Sequence, residues 1–148
     1  MEAETALEVA AVKLARETVK GSYGLVTASE LKAELERGEK PLLLDAMPME
    51  SSYQKEHLPG ALQFLFPIAD MQLWDSALTA GRSQADLEQL LGPDKSAPIV
   101  VYCGFVKCTR SHNAALWAQR LGYTNVRRFA GGVHAWKGAG YSLESSQP

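Results

Sequence analysis

Ile99-Val100-Val101-Tyr102 is an unbroken apolar run, so a strand made from it must be covered on both faces. Leu42-Leu43-Leu44, closed by Asp45, has the same character. Strands buried on both sides belong to a parallel sheet, because each parallel connection has to cross over and lays a helix on one face or the other. The remaining segments supply those helices. Residues 6–19 place Leu7, Ala10, Ala11, Leu14 and Ala15 at helical spacing, and Gly21 and Gly24 end the segment. Residues 25–26 suit a short strand. Thr27-Ala28-Ser29-Glu30 has the capping-box spacing and starts a helix that runs to Gly38. Residues 61–66 read as a strand after the Pro59-Gly60 turn, and Ser83 caps a helix over 84–91 that Gly92-Pro93 closes. A helix over about 110–121 turns Ala114, Trp117, Ala118 and Leu121 inward, a strand follows at 125–129, and Gly131-Gly132 opens a last helix around Trp136. Strands alternating with helices predict one open α/β sheet with helices on both faces, and ligands in such sheets bind beyond the carboxyl ends of the strands.

The chain has 148 residues, enough for one domain with a sizeable core. Its first twenty residues carry Glu2, Glu4, Glu8, Lys13, Arg16, Glu17 and Lys20, so they hold no signal-peptide core, and no apolar run is long enough for a membrane helix. A cytoplasmic protein is expected, or a periplasmic one if the chain is cut from a longer precursor. Two cysteines are too few for a disulfide scaffold. The net charge of −2 conceals a split: residues 96–143 contain no Asp or Glu but six basic side chains, Lys107, Arg110, Arg120, Arg127, Arg128 and Lys137. That segment would welcome an anion. So few basic residues in an acidic chain argue against nucleic acid, and no membrane partner is expected.

Both cysteines lie in the positive segment, in Cys103-Gly104-Phe105-Val106-Lys107-Cys108-Thr109-Arg110-Ser111. Cys103 follows the clearest strand and precedes a helix. A free thiol titrates at about 8.5 and is only a few per cent thiolate at neutral pH. Loop amides, the positive end of the following helix, and the charges of Lys107 and Arg110 all favour the ionised form there. A thiolate in that setting suits sulfur transfer, or phosphoryl or arsenate chemistry.

Several pieces form a pattern: Leu42-Leu43-Leu44-Asp45; Tyr53 with His57-Leu58-Pro59-Gly60-Ala61; Val100-Val101-Tyr102-Cys103; Arg110-Ser111 with Ala114-Ala115; Leu121-Gly122-Tyr123; and Gly131-Gly132 with Ala135-Trp136 and Ala139-Gly140-Tyr141. In order and spacing the chain from about 25 to 141 resembles the rhodanese-like, or thiosulfate sulfurtransferase, family. The resemblance implies a single domain at 23–144 with a five-stranded parallel sheet, preceded by an amphipathic helix at 1–22 and followed by a tail at 145–148. It also implies that Cys103 accepts sulfane sulfur from a small anionic donor and passes it to cyanide, a small thiol or a protein thiol. Arg110 closes the pocket in that reading. The intervening Gly104, Phe105, Val106, Lys107, Cys108 and Thr109, with Ser111, bind the anions, and Asp45, His57 and His112 are candidate supports. No metal or cofactor is expected: Cys103, Cys108 and His112 have ligand spacing but lack a fourth ligand.

Two features depart from the family pattern. Met47 stands where an arginine usually follows the strand aspartate, and Cys103 to Arg110 counts eight residues where sulfur-transferring members have six and related phosphatases and arsenate reductases seven. A phosphatase or arsenate reductase, and an inert or redox-sensing module in which Cys108 pairs with Cys103, therefore stand beside the sulfurtransferase. Trp117 and Trp136 are expected in the core, Met71 and Trp74 in the core or at the rim of the site, and His134 at the surface.

Overall fold

The computed structural model describes residues 1–146, so Gln147 and Pro148 of the expected tail lie outside the described residues. In chain order the elements are α1 (Glu2–Gly21), β1 (Gly24–Leu25), α2 (Ala28–Glu36), β2 (Leu42–Asp45), β3 (Leu62–Gln63), α3 (Gln84–Leu91), β4 (Ile99–Tyr102), α4 (Arg110–Arg120), β5 (Val126–Phe129) and α5 (Gly132–Gly138). A π-helical turn at Met49–Tyr53 and a 3-10 turn at Ser76–Leu78 lie in the connections. The five strands form one sheet in the order β1-β5-β4-β2-β3, and every pairing is parallel. The central position of β4 explains its composition: all four of its residues are buried.

Each face of the sheet has its own core. Leu44, Phe64, Phe66, Ile99, Val101, Trp117 and Tyr123 pack on the side of α3 and α4, while Leu31, Leu43, Leu58, Val100, Phe129 and Trp136 pack on the side of α2 and α5. The expected capping box of Thr27 with Glu30 forms, and Ser83 caps α3 as expected, in a second box with Asp86. Met71 is buried, and Trp74 packs edge-on against Phe64, Phe66 and Trp117, so this pair belongs to the core.

One element differs from expectation. Regular strand over the expected 61–66 is confined to Leu62–Gln63, although Phe64 N and Phe66 N still donate to the Asp45 and Ala46 carbonyls at 3.0 and 3.2 Å before the chain reaches Pro67, which has no N–H to donate. The first helix, Glu2–Gly21, fills the expected 1–22 segment, and of its alanine and leucine stripe only Ala10 and Leu14 are half-buried. Leu7, Val9 and Val12 are exposed, and the face turned to the body carries Lys13, Leu14, Glu17 and Thr18. Lys13 Nζ donates to the Lys107 carbonyl at 3.1 Å, and Glu17 Oε1 accepts from Arg128 Nη1 at 2.9 Å. The helix is therefore held by polar contacts that reach the Cys103–Arg110 loop and the strand beneath it.

Candidate active site

The loop after β4 is shaped by the start of α5. The Cys103 carbonyl accepts from Val133 N at 3.1 Å, and the Gly104 carbonyl from His134 N at 2.9 Å. A trans peptide points its N–H opposite to its carbonyl, so anchoring the Cys103 carbonyl on α5 turns the Gly104 N–H back into the loop. That close approach explains Gly132. Its φ is +60°, and a Cβ there would stand 2.1 Å from the Cys103 oxygen, a position that only glycine fills.

Inside the loop the structure departs from the sequence expectation. Main-chain amides act on both sulfurs, those of Gly104 and Arg110 on Cys108 and that of Ser111 on Cys103, but only Cys108 is left with a lowered thiol. A hydrogen bond from the Cys103 side chain, the N–H groups of Gly104 and Arg110, and the Arg110 charge outweigh partial burial and bring the Cys108 thiol down to about 6. Cys103 is wholly buried at the end of β4. Desolvation drives its thiol well above the ordinary range, with the neighbouring Cys108 adding to the effect. Its Sγ lies 3.4 Å from the Cys108 carbonyl oxygen and 3.3 Å from the Ser111 hydroxyl. Cys103 thus keeps its proton and hands hydrogen-bonding support to Cys108. The reason is spatial: Cys103 still belongs to the strand, under the loop, whereas Cys108 lies in the loop itself and reaches the surface with 7% of its area.

Beneath the loop sits a charge the sequence reading did not single out. Arg128 on β5 is fully buried. Its Nη2 donates to the Cys108 carbonyl at 2.7 Å, Nε to Ser111 Oγ at 2.8 Å, and Nη1 to Glu17 at 2.9 Å and to the Tyr23 hydroxyl at 3.1 Å. Arg127 reaches Glu34 with two hydrogen bonds, at 2.5 and 2.8 Å. With Lys137 Nζ 3.1 Å from Glu56, three of the six basic residues that make the segment positive are paired with acids elsewhere in the chain. A signal for this existed: two arginines in a strand between covered faces need partners.

The other expected site residues divide. Arg110 stays beside the loop, with Nη1 on the Phe66 carbonyl at 2.8 Å, and Thr109 donates to the Ile68 carbonyl. Phe105 and Val106 form an exposed tip with Lys107 beside them. Ser111 is buried between Arg128 and Cys103, where it supports the loop and does not face an incoming anion. His112 is buried as well: its Nδ1 is 2.8 Å from the Tyr23 hydroxyl, and burial lowers its proton affinity, so it is a neutral core group and adds no positive charge. His57 stacks on Tyr53, with Nδ1 2.7 Å from the Tyr53 carbonyl and Nε2 3.7 Å from Glu144, and holds the turn before Pro59. His134 is exposed against Phe105. An apolar groove of about 340 Å³ runs between α1, the start of α2 and Val106, but neither cysteine lines it.

Asp45 is fully buried at the end of β2. Oδ1 accepts from Met47 N at 2.8 Å, Oδ2 has no hydrogen-bond partner among the described residues, and burial lifts the carboxyl to about 6. Met47 brings no charge to balance it and packs over Gly104 instead. Because the folded-state value lies above the ordinary 3.8, the folded chain binds the proton more tightly than the unfolded one. Asp45 therefore costs stability above about pH 6, and that cost fades as the pH falls toward 4. Asp45→Asn is expected to raise stability at neutral pH by about 2–3 kcal/mol. The wild-type deficit relative to the variant should shrink as denaturation is repeated between pH 7 and 4; a constant difference would contradict this.

The comparisons with known proteins agree with this architecture. The family model described as Rhodanese-like domain matches residues 27–139. The chain belongs to the rhodanese-like domain family. Among curated proteins, this rhodanese-like chain is 31% identical over 140 residues to a Mycobacterium tuberculosis protein named "Putative thiosulfate sulfurtransferase SseB", covering 83% of this chain and 47% of that one. The chain thus spans about half the length of the curated relatives it matches. Among solved structures, it resembles the rhodanese-like domain of the Anabaena protein Alr3790, with a TM-score of 0.57 at 26% identity over 82% of this chain and 78% of that one. It shares its fold with the thiosulfate sulfurtransferase of Pseudomonas aeruginosa, with a TM-score of 0.61 at 23% identity over 88% of this chain and 22% of that one.

Proposed function

We propose that this rhodanese-like domain is a sulfurtransferase whose sulfur carrier is Cys108. The observation that carries the reading is the convergence of the Gly104 and Arg110 amides, the Arg110 charge and the Cys103 hydrogen bond on one thiol that is ionised near neutrality. The thiolate attacks the sulfane sulfur of an anionic donor such as thiosulfate. The S–S bond breaks, sulfite leaves with the bonding pair, and Cys108 holds a persulfide whose negative charge the same amides stabilise. Cyanide, a small thiol or a protein thiol then takes the outer sulfur and returns Cys108 to the thiolate. Arg110 and the exposed Lys107 draw the donor to the loop. The family membership and the name of the Mycobacterium relative support sulfur transfer as the class of reaction.

Phosphatase or arsenate chemistry fits this arrangement less well. A phosphate cradle is built from the residues between the nucleophile and its arginine, and only Thr109 separates Cys108 from Arg110. Most of the loop precedes the carrier instead of following it. The odd length of the Cys103–Arg110 loop then has a simple account: it is not a cradle counted from Cys103.

The test is thiocyanate formation from thiosulfate and cyanide, run beside hydrolysis of an aryl phosphate and reduction of arsenate. Thiocyanate formation is expected, with a rate that rises as the pH passes about 6 and then levels, following ionisation of Cys108. Turnover of phosphate or arsenate, with no thiocyanate, would overturn the reading.

A further inference from the structure

We propose that the two cysteines work as a pair: after Cys108 has taken a sulfane sulfur, Cys103 displaces it as hydrosulfide and closes a Cys103–Cys108 disulfide, so the chain releases sulfide as well as passing sulfur on. The inference rests on the carrier role proposed for Cys108. Both cysteines are free, and Cys103 Sγ donates to the Cys108 carbonyl oxygen at 3.4 Å, so the buried thiol lies directly against that residue. Cys103 has no surface of its own. No donor or acceptor can reach it, and Cys108 is the reactive sulfur within its reach. A thiol so placed has one reaction open to it, attack on the inner sulfur of a persulfide at Cys108.

The step balances. The Cys103 sulfur bonds to Cys108 Sγ, and the bond from Cys108 Sγ to the outer sulfur breaks. The outer sulfur leaves with that electron pair and takes up the proton that Cys103 held, departing as hydrosulfide. The sulfane sulfur is reduced, the two thiols are oxidised to the disulfide, and an external dithiol is the class of reductant that reopens it. Persulfide formation favours the step. The negative charge that sits beside Cys103 in the resting site moves outward to the terminal sulfur, which removes one of the influences that hold the Cys103 proton in place. In this scheme an acceptor that arrives promptly receives the sulfur. Without one, the pair discharges it as sulfide and locks until reduced.

The experiment is a single addition of thiosulfate to the reduced 148-residue chain, freed of small thiols and with no reductant present. Sulfite reports the first step and hydrosulfide, trapped with a bimane, the second; intact mass identifies the protein product. The wild type is expected to release one equivalent of each and to end lighter than the reduced chain by two hydrogens. Cys103→Ala is expected to release sulfite but no sulfide, and to remain heavier by one sulfur. A wild-type chain that keeps the extra sulfur and releases no sulfide overturns the proposal while leaving the carrier role standing. Sulfide release that is undiminished in Cys103→Ala overturns it equally. If the wild type releases no sulfite, the carrier reading fails and this inference falls with it. The wild-type readings decide the matter even if the variant does not fold.

Discussion

Cys108→Ser is expected to lower thiocyanate turnover by on the order of 10³-fold or more, because a serine hydroxyl is neither ionised near neutrality nor able to hold a sulfane sulfur. Cys103→Ser is expected to keep taking up sulfur from thiosulfate. Serine keeps a donor at that position on a shorter bond, so the support to Cys108 is weakened and uptake slows by about tenfold at most. The contrast matters because the strand end alone would nominate Cys103. Sulfite release on addition of thiosulfate checks it: uptake lost in the Cys108 variant and retained in the Cys103 variant is the predicted pattern. The reverse pattern would return the carrier to Cys103 and leave the amide geometry around Cys108 without a role.

The second large effect is on stability. Arg128→Met is expected to lower the unfolding free energy by about 3–5 kcal/mol, the cost of breaking a buried ion pair from one side. The loss takes a donor from four acceptors at once: the Glu17 carboxylate, the Tyr23 and Ser111 hydroxyl oxygens, and the carbonyl of Cys108 itself. Chemical denaturation with an unchanged denaturant slope is the measurement. Because Glu17 and Arg128 share one contact, Glu17→Gln combined with Arg128→Met is expected to cost less than the two single changes added together. A loss below about 1 kcal/mol for Arg128→Met, or strict additivity, would show that the guanidinium does not hold the loop. The Cys108 peptide hangs on the same side chain, so surviving Arg128→Met protein is also expected to titrate its loop thiol at a higher pH than the wild type.

Much of the fold could be read from the chain because its strongest signals are local. Ile99–Tyr102 has no polar residue and became the buried central strand, and the Thr27 and Ser83 caps start α2 and α3 where their hydroxyls predict. The apolar stripe of α1 left its docking open, because that helix is held through Lys13 and Glu17, whose partners lie 94 and 111 residues away in sequence. The site was legible in part. The loop, Arg110 and both thiols were found, but the division of labour between the thiols was not. It depends on which way the Cys103–Gly104 peptide faces, and that is fixed by α5, thirty residues downstream, through Val133 N and His134 N. The long spacing from Cys103 to Arg110 is the one local sign in keeping with the carrier proposed further along the loop. Arg128 was visible only as a charge, since its burial follows from sheet order, and its partner Glu17 comes from the opposite end of the chain.

The most direct check on this account is a thiolate titration, following ultraviolet absorbance against pH for the wild type and for Cys108→Ser. The wild type is expected to show one thiol ionising at about 6 and a second only at strongly alkaline pH. Cys108→Ser is expected to lose the low-pH transition altogether. An acidic transition that survives in Cys108→Ser and disappears in Cys103→Ser would contradict the assignment of the ionised sulfur to the loop.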